Sequence, residues 1–295
     1  MSLINNNLQE MVDLHVHSNA SDGSLTPTEV VLEAKKMKLR AFALTDHDTI
    51  DGIQEAKEAI CYLKEKENYD LELISGVEFS AGYENRDIHI LGLFIDEHSA
   101  SLKQTLKQMK QTRDKRNEKL VENLANAGLP ISMEGLKKEF PDAVLTRAHF
   151  AEYLYKVGVV KEIQEAFKKY LQEDGPYYVQ REYLAPETAI SLIKEAGGIP
   201  VLAHPLLYHL PENKVKELIS TLKEAGLMGL EVIHSTNINN DESYLRGLAR
   251  KYELIPTGGS DFHGVVKPTI QIGIGKGNLC IPYSMLEYLK TFLPK

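Results

Sequence analysis

Twice along this chain short β-rich runs alternate with helical patterns, and a histidine or an acidic residue stands at the end of nearly every run. Between Met11 and about Ile95, the segments Val12 to His17, Arg40 to Leu44, Leu71 to Phe79 and Ile88 to Ile95 read as strands. Helices over Ser24 to Lys38 and Asp51 to Glu67 separate them. The rhythm resumes after Tyr183, with helices near Glu187 to Ala196, Asn213 to Ala225 and Glu242 to Tyr252. Strands Ile199 to Ala203, Met228 to Ile233 and Leu254 to Thr257 lie between these helices. Repeated βα units imply a mostly parallel sheet or a barrel, an α/β fold.

Local signals agree with this division. Thr26 can cap the first helix, with Pro27 at its first position, Glu29 completing a capping box, and Val30, Ala34 and Met37 marking a buried stripe. Gly197-Gly198 and Gly226 are natural helix stops. Between about Ser99 and Glu182 the alternation gives way to helical text carrying Leu102, Leu106, Met109, Leu120 and Leu124, broken at Gly128-Leu129-Pro130 and Phe140-Pro141. The chain therefore divides into a barrel domain over 11–98 and 184–295 and a helical insertion over 99–183 that covers the active site. A length of 295 residues with 43% hydrophobic and 26% charged residues suffices for a large core.

Composition also limits function. No stretch approaches the roughly 20 apolar residues of a membrane span. The start, Met1-Ser2-Leu3 followed by Asn5, Asn6 and Asn7, has no cationic leader with an apolar run, so the chain reads as soluble and cytoplasmic. A net charge of -8 argues against broad adhesion to nucleic acid, and no stable nucleic-acid partner is expected. Cys61 and Cys280 fit no disulfide or metal spacing and read as reduced core residues.

The chemistry lies in the clusters His15-Val16-His17, Ser21-Asp22-Gly23, Thr45-Asp46-His47, Gly76-Val77-Glu78, His89, Ala203-His204-Pro205 and Ser260-Asp261-Phe262-His263. Side chains two apart on a strand project to one side, so His15 with His17, and Asp261 with His263, can each grip one metal centre. In a parallel barrel the strand C-termini gather at one face, where residues distant in sequence meet. Six imidazoles and three carboxylates suit two or three divalent ions, and nitrogen and oxygen donors without thiolate favour zinc, manganese or iron. About three such ions against three carboxylates leave a cationic pocket that calls for an anion, and a phosphate ester fits.

These motifs in their order, including Asp13-Leu14-His15-Val16-His17-Ser18 and Gly259-Ser260-Asp261-Phe262-His263, resemble the PHP (polymerase and histidinol phosphatase) superfamily. The nearest branch is that of stand-alone phosphoesterases acting on nucleotides or short RNA. The resemblance implies a distorted (β/α)7 barrel with His15, His17, Glu78 and Asp261 around one ion. By the same analogy Glu78 bridges to a second ion held by His89 and His204, and Asp22, His47 and His263 hold a third. It implies release of phosphate from a small nucleotide, a 3',5'-bisphosphonucleoside being favoured, or trimming of short RNA, with a metal-bound hydroxide as nucleophile. Thr146-Arg147-Ala148-His149 resembles the Arg-x-His segment with which nucleotide-cleaving members hold a remote phosphate, so Arg147 and His149 are assigned to substrate. An ordinary salt bridge and core hydrogen bond are the competing account of that pair.

The rivals are a phosphatase of the same family acting on histidinol phosphate or a sugar phosphate, a barrel amidohydrolase, and a noncatalytic metal-bound scaffold. Asp46 and Asp48 flank His47 either as carboxylates orienting its ring or as turn formers. His234 ends a strand on the active face, where core hydrogen bonding is the plainer reading, and His98 and His209 lie in polar loops. Lys103, Lys107, Lys110, Arg113 and Arg116 read as a solvated stripe, and Gly273 to Gly277 as a strand and turn.

Overall fold

Seven strands lie side by side in sequence order. In this computed structural model the described residues are 10–84, 86–141, 143–172, 175–180 and 182–294, so the N-terminal residues read above for a leader lie outside them. Strand β1 (Val12–Val16) pairs in parallel with β2 (Ala41–Leu44), and β2 with β3 (Glu72–Tyr83). Strand β4 (Arg86–Leu93) runs antiparallel to both β3 and β5 (Ile199–Leu202). Then β5, β6 (Gly229–His234) and β7 (Ile255–Gly259) are parallel again. Past the end of β7 the chain returns to β1: Val16 bridges Phe262, Asp261 N donates to His15 O at 2.9 Å and His17 N to Phe262 O at 3.0 Å. The result is a nearly closed, distorted barrel.

The distortion has a local cause. β3 and β4 extend past the expected strand ends into the stretch between them, from Phe79 to Tyr83 and back from Arg86, so only residues 84–85 separate them. So short a connection permits only antiparallel pairing. Glu78 and His89 both lie on this hairpin, with Ser80 opposite His89.

Helices α1 (Pro27–Lys36), α2 (Ile53–Glu67), α7 (Pro186–Glu195), α8 (Glu212–Glu224), α9 (Asp241–Lys251) and α10 (Tyr283–Lys290) cover the barrel. The expected Thr26/Glu29 capping box is present at α1, whose buried residues are Pro27, Val30, Val31 and Ala34, with Met37 half-buried at its end. α10, unforeseen, packs Leu286 and Leu289 into the barrel core.

The insertion comprises α3 (Ala100–Asn126), α4 (Met133–Glu139), α5 (Arg147–Lys156) and α6 (Ile163–Lys169). Leu120, Leu124, Phe150, Leu154 and Ala166 form its own apolar core, while Leu102 and Leu106 at the start of α3 join the barrel core. One helix thus ties the two cores together. Gly128, at φ 85°, follows the end of α3 as the Gly-Leu-Pro break requires.

Three readings change. Cys61 and Cys280 are exposed, not core residues. Gly273 to Gly277 forms turns with one isolated bridge, Gln271 to Gly275, because Gly273 N is drawn inward to Asp13 Oδ2 at 2.7 Å. Arg113 leaves the expected solvated stripe: it is buried, paired with Asp48, and reaches Ser80 Oγ at 3.4 Å. No helix among the described residues is long and apolar enough to cross a membrane.

Candidate metal centre

The alternation of β1 places Asp13, His15 and His17 on the interior side. Asp13 braces the strand from below, accepting from Ser260 N at 2.8 Å and Gly273 N at 2.7 Å. Above it, His15 Nε2 lies 3.1 Å from His17 Nε2, and the two nitrogens lie 3.3 and 3.2 Å from Glu78 Oε2. Asp261 Oδ1 stands 3.7 and 3.5 Å from the same pair. The approach of β7 to β1 that makes this possible requires Gly259, since a Cβ there would lie 2.2 Å from the His15 Cβ.

All nine sequence-derived candidates converge. His17, Asp22, His47 and His263 form one group, His15, Glu78 and His204 a second, His15, His17 and Asp261 a third, and His47, Glu78 and His89 a fourth. Within each, the ligand atoms lie within 4.8 Å of one another. Glu78 sits at the centre: Oε1 is 2.9 Å from His89 Nδ1 and 3.1 Å from His204 Nε2, and Oε2 is 3.1 Å from His47 Nδ1. Asp22 Oδ1 is 3.2 Å from His263 Nε2. The groups overlap more than three separate ligand sets would, through His15, His17, His47 and Glu78.

The backbone around the cluster is constrained. Asp48, His204 and Asp261 adopt φ of 53°, 25° and 57°, values that non-glycine residues rarely hold without a local reason. Asp46 fixes the loop after β1, accepting from Ser18 N at 2.8 Å, Ser18 Oγ at 2.7 Å and Ser21 Oγ at 2.6 Å. Asp48 accepts from Ser80 N at 2.8 Å and pairs with Arg113. Both aspartates therefore shape the frame around His47.

Burial would raise the carboxyl of Glu78, but His47, His89 and His15 around it hold it well below the usual range. Asp22 is depressed likewise by His47 and His263, against burial, and Asp261 by Lys267 and His263, against burial. Burial drives His47 and His204 down to about 4. Burial opposes charging His15 and His89 too, yet Glu78 with Glu231 raises His15 well above its ordinary value, and Glu78 with Asp87 pushes His89 up to about 10. Both upward shifts come from carboxylates that face these two rings. His17 Nδ1, Asp22 Oδ1, His47 Nδ1, Glu78 Oε2 and His204 Nδ1 are buried without a well-directed hydrogen bond among the described residues. Inward-facing nitrogens and carboxylate oxygens of this kind fit divalent ions.

Glu231 belongs to this centre and escaped the sequence reading. From β6 its Oε1 meets His15 Nδ1 at 3.0 Å, and its Oε2 accepts from His204 N at 2.7 Å. Its signal was a lone charge in the fully buried run Leu230-Glu231-Val232-Ile233. His234 is buried, with Nδ1 2.8 Å from Thr236 Oγ1 and Nε2 3.6 Å from Asp261 Oδ2. His98 is solvent-exposed, whereas His209 stands at a cavity rim.

The insertion meets the cluster at the start of α5. Thr146 Oγ1 donates to Asp22 Oδ2 at 3.3 Å while accepting from Ala148 N at 3.2 Å. Arg147, the next residue, lines the two cavities that open onto the cluster. His149 does not accompany it. Its Nδ1 accepts from Thr146 N at 2.9 Å, closing a capping box, its ring lies edge-on to Phe140 at 4.6 Å, and it lines a further crevice that Asp22 also borders.

The PHP domain family matches residues 13–235. A 5'-3' exoribonuclease of Haemophilus influenzae is 39% identical over 280 residues, covering 95% of this chain and 98% of its own. A 3',5'-nucleoside bisphosphate phosphatase of Chromobacterium violaceum is 34% identical over 254 residues, covering 85% of this chain and 87% of its own. A solved structure from Chromobacterium violaceum, described as an amidohydrolase with bound sulfate and no metal, superposes with a TM-score of 0.83 at 32% identity, covering 96% of this chain and 97% of that one. On the strength of the matched segment and these near full-length relatives, the chain belongs to the PHP domain family.

Proposed function

We propose that the protein is a metal-dependent phosphoesterase that releases phosphate from a small nucleotide, a 3',5'-bisphosphonucleoside being favoured, or trims short RNA. The observation that carries this reading is the convergence of nine nitrogen and oxygen ligands around Glu78, beside cavities that Arg147 lines. Relatives named as a bisphosphate phosphatase and an exoribonuclease support the substrate class. The ligands are His15, His17, Asp22, His47, Glu78, His89, His204, Asp261 and His263, and they hold two or three ions of manganese, iron or zinc. Bound there, such ions supply Lewis acidity toward phosphoryl oxygens and toward the attacking water.

The chain's own groups then have definite tasks. Glu231 accepts the Nδ1 proton of His15, which turns the Nε2 lone pair toward the centre. Glu78, held as carboxylate, joins the ligand groups by facing His47, His89 and His204 at once. Arg147 anchors the second phosphate through a charge-assisted, forked contact. His149 fixes the turn from which Arg147 reaches, a positioning task in place of direct phosphate contact. The overlap of the two cavities at Arg147 suits a substrate with phosphate on both sides of a sugar.

The test is phosphate release by protein loaded separately with manganese, iron and zinc. The substrates are adenosine 3',5'-bisphosphate, adenosine monophosphate and histidinol phosphate. A higher kcat/KM for the bisphosphate is expected; preference for histidinol phosphate would shift the assignment within the family. Bound metal without turnover on any phosphoester would point to a scaffold.

A further inference from the structure

Of the cationic row on α3, Arg113 is turned inward, and three lysines stand on a groove instead of a convex face. Lys103, Lys107 and Lys110 are four and three residues apart and so share one side of the helix, and with Leu106 they wall a groove of about 300 Å³. Asp48, Thr49, Ile50 and Asp51, on the loop leading from β2 into α2, form the facing wall. Lys103 and Lys107 are exposed and Lys110 is half-buried, and among the described residues no carboxylate pairs with any of them. Residues 100–113 contain no acidic side chain, so a local cationic strip stands on a chain whose net charge is -8. On the facing wall Asp48 is taken by Arg113, and Asp51 meets none of the three lysines.

The groove adjoins the metal-ligand cluster. Asp48 borders it and pairs with Arg113, and Arg113 lines, together with Arg116, the cavity onto which His47 and His89 face. Lys110, Arg113 and Arg116 follow at three-residue steps, each short of a full turn, so the row winds round α3 from the groove to that cavity. From Lys103 to Arg116 the helix axis advances about 20 Å. A row of that length exceeds a single nucleotide and matches the repeating charge of a phosphodiester strand.

Resting on the phosphoesterase reading above, we infer that this groove holds the trailing phosphates of a single RNA strand whose terminal nucleotide lies at the metal ligands. Lysine ammoniums on flexible stems meet phosphates as point charges, and contacts to the backbone position a strand without reading its sequence. Release of counterions from the strand drives such binding. A bisphosphonucleoside ends at the cavity and does not reach the groove, so the strip serves RNA and not the small nucleotide.

The experiment compares adenosine 3',5'-bisphosphate with 5'-phosphorylated oligoadenylates of two and six nucleotides. It uses the metal-loaded full chain and its Lys103→Gln/Lys107→Gln/Lys110→Gln variant, with folding checked by circular dichroism. The variant should lose about 3- to 100-fold in kcat/KM on the hexamer, mostly through KM, and stay within about two-fold on the dimer and the bisphosphate. For the hexamer, the slope of log kcat/KM against log salt should flatten by about 2, the loss of three single-strand phosphate contacts. Lys115→Gln, at an exposed lysine on another side of α3, should leave the hexamer unchanged. Should the triple variant unfold, Lys107→Glu alone, a charge reversal in the middle of the strip, gives the same comparison. An unchanged hexamer, a loss on the bisphosphate matching that on the hexamer, or an equal loss from Lys115→Gln overturns the inference while leaving the phosphoesterase reading standing. Hydrolysis of the bisphosphate but of no oligomer does the same. Turnover of neither, with hydrolysis of another phosphate ester, overturns both.

Discussion

Glu231 lies on the fully buried strand β6 and touches no solvent, yet it fixes both His15 and the backbone of His204. A carboxylate that orients a ligand ring without binding the ion governs affinity more than architecture. Glu231→Gln should therefore weaken metal binding about 10- to 100-fold with the fold retained, read by competition with a chelator alongside circular dichroism. Arg147→Ala should raise KM for a bisphosphate about 10- to 100-fold and leave a monophosphate much less affected, the loss expected of a charge-assisted contact. His149→Gln separates two roles, since glutamine at that helical position preserves a capping box. Unchanged KM is the expected result; a rise matching that of Arg147→Ala would place the ring on phosphate. The nine candidate ligands were legible because most sit in short motifs, such as His15-Val16-His17 and Ser260-Asp261-Phe262-His263, in or at the ends of β-rich runs. Glu231 was not, since nothing in its neighbours marks a contact across 216 positions to His15.

At the scale of elements, the decisive joints are the return of the chain from β7 to β1 and the β3–β4 hairpin. Gly259 stands so close to β1 that any side chain would strike the Cβ and backbone of His15. Gly259→Ala should cost about 1–3 kcal/mol or more by overpacking and should also lower metal stoichiometry, measured by urea unfolding and elemental analysis. The helices were readable where caps and stripes repeat, as at Thr26 and Glu29, which form the expected box. The reversed strand was not. Phe79 to Ile88 is polar and glycine-containing text whose pairing depends on partners across the sheet, and periodicity carries strand existence but not direction. The insertion was legible as a loss of rhythm, but the burial of Arg113 against Asp48 was not, because a helix surface shows its inward face only when packed.

For the whole molecule, the cluster stores charge that ions relieve. In metal-free protein the carboxylate of Glu78, with Asp87, holds His89 at about 10, above its ordinary 6.5. That pairing stabilises the metal-free fold fully below about pH 6.5, and the contribution is lost as pH rises through about 10. Chelated protein should show a falling Tm across that window, and metal-loaded protein should not, because the imidazole nitrogen is then engaged whatever the pH. Metal uptake near neutral pH should release protons from His15 and His89, seen as a buffer-dependent heat in calorimetry. The direct measurement is anomalous diffraction at the manganese, iron and zinc edges from crystals of catalytically active protein. Peaks bounded by His15, His17, Asp22, His47, Glu78, His89, His204, Asp261 and His263 are predicted. Active crystals with no peak inside that ring of side chains would contradict the assignment.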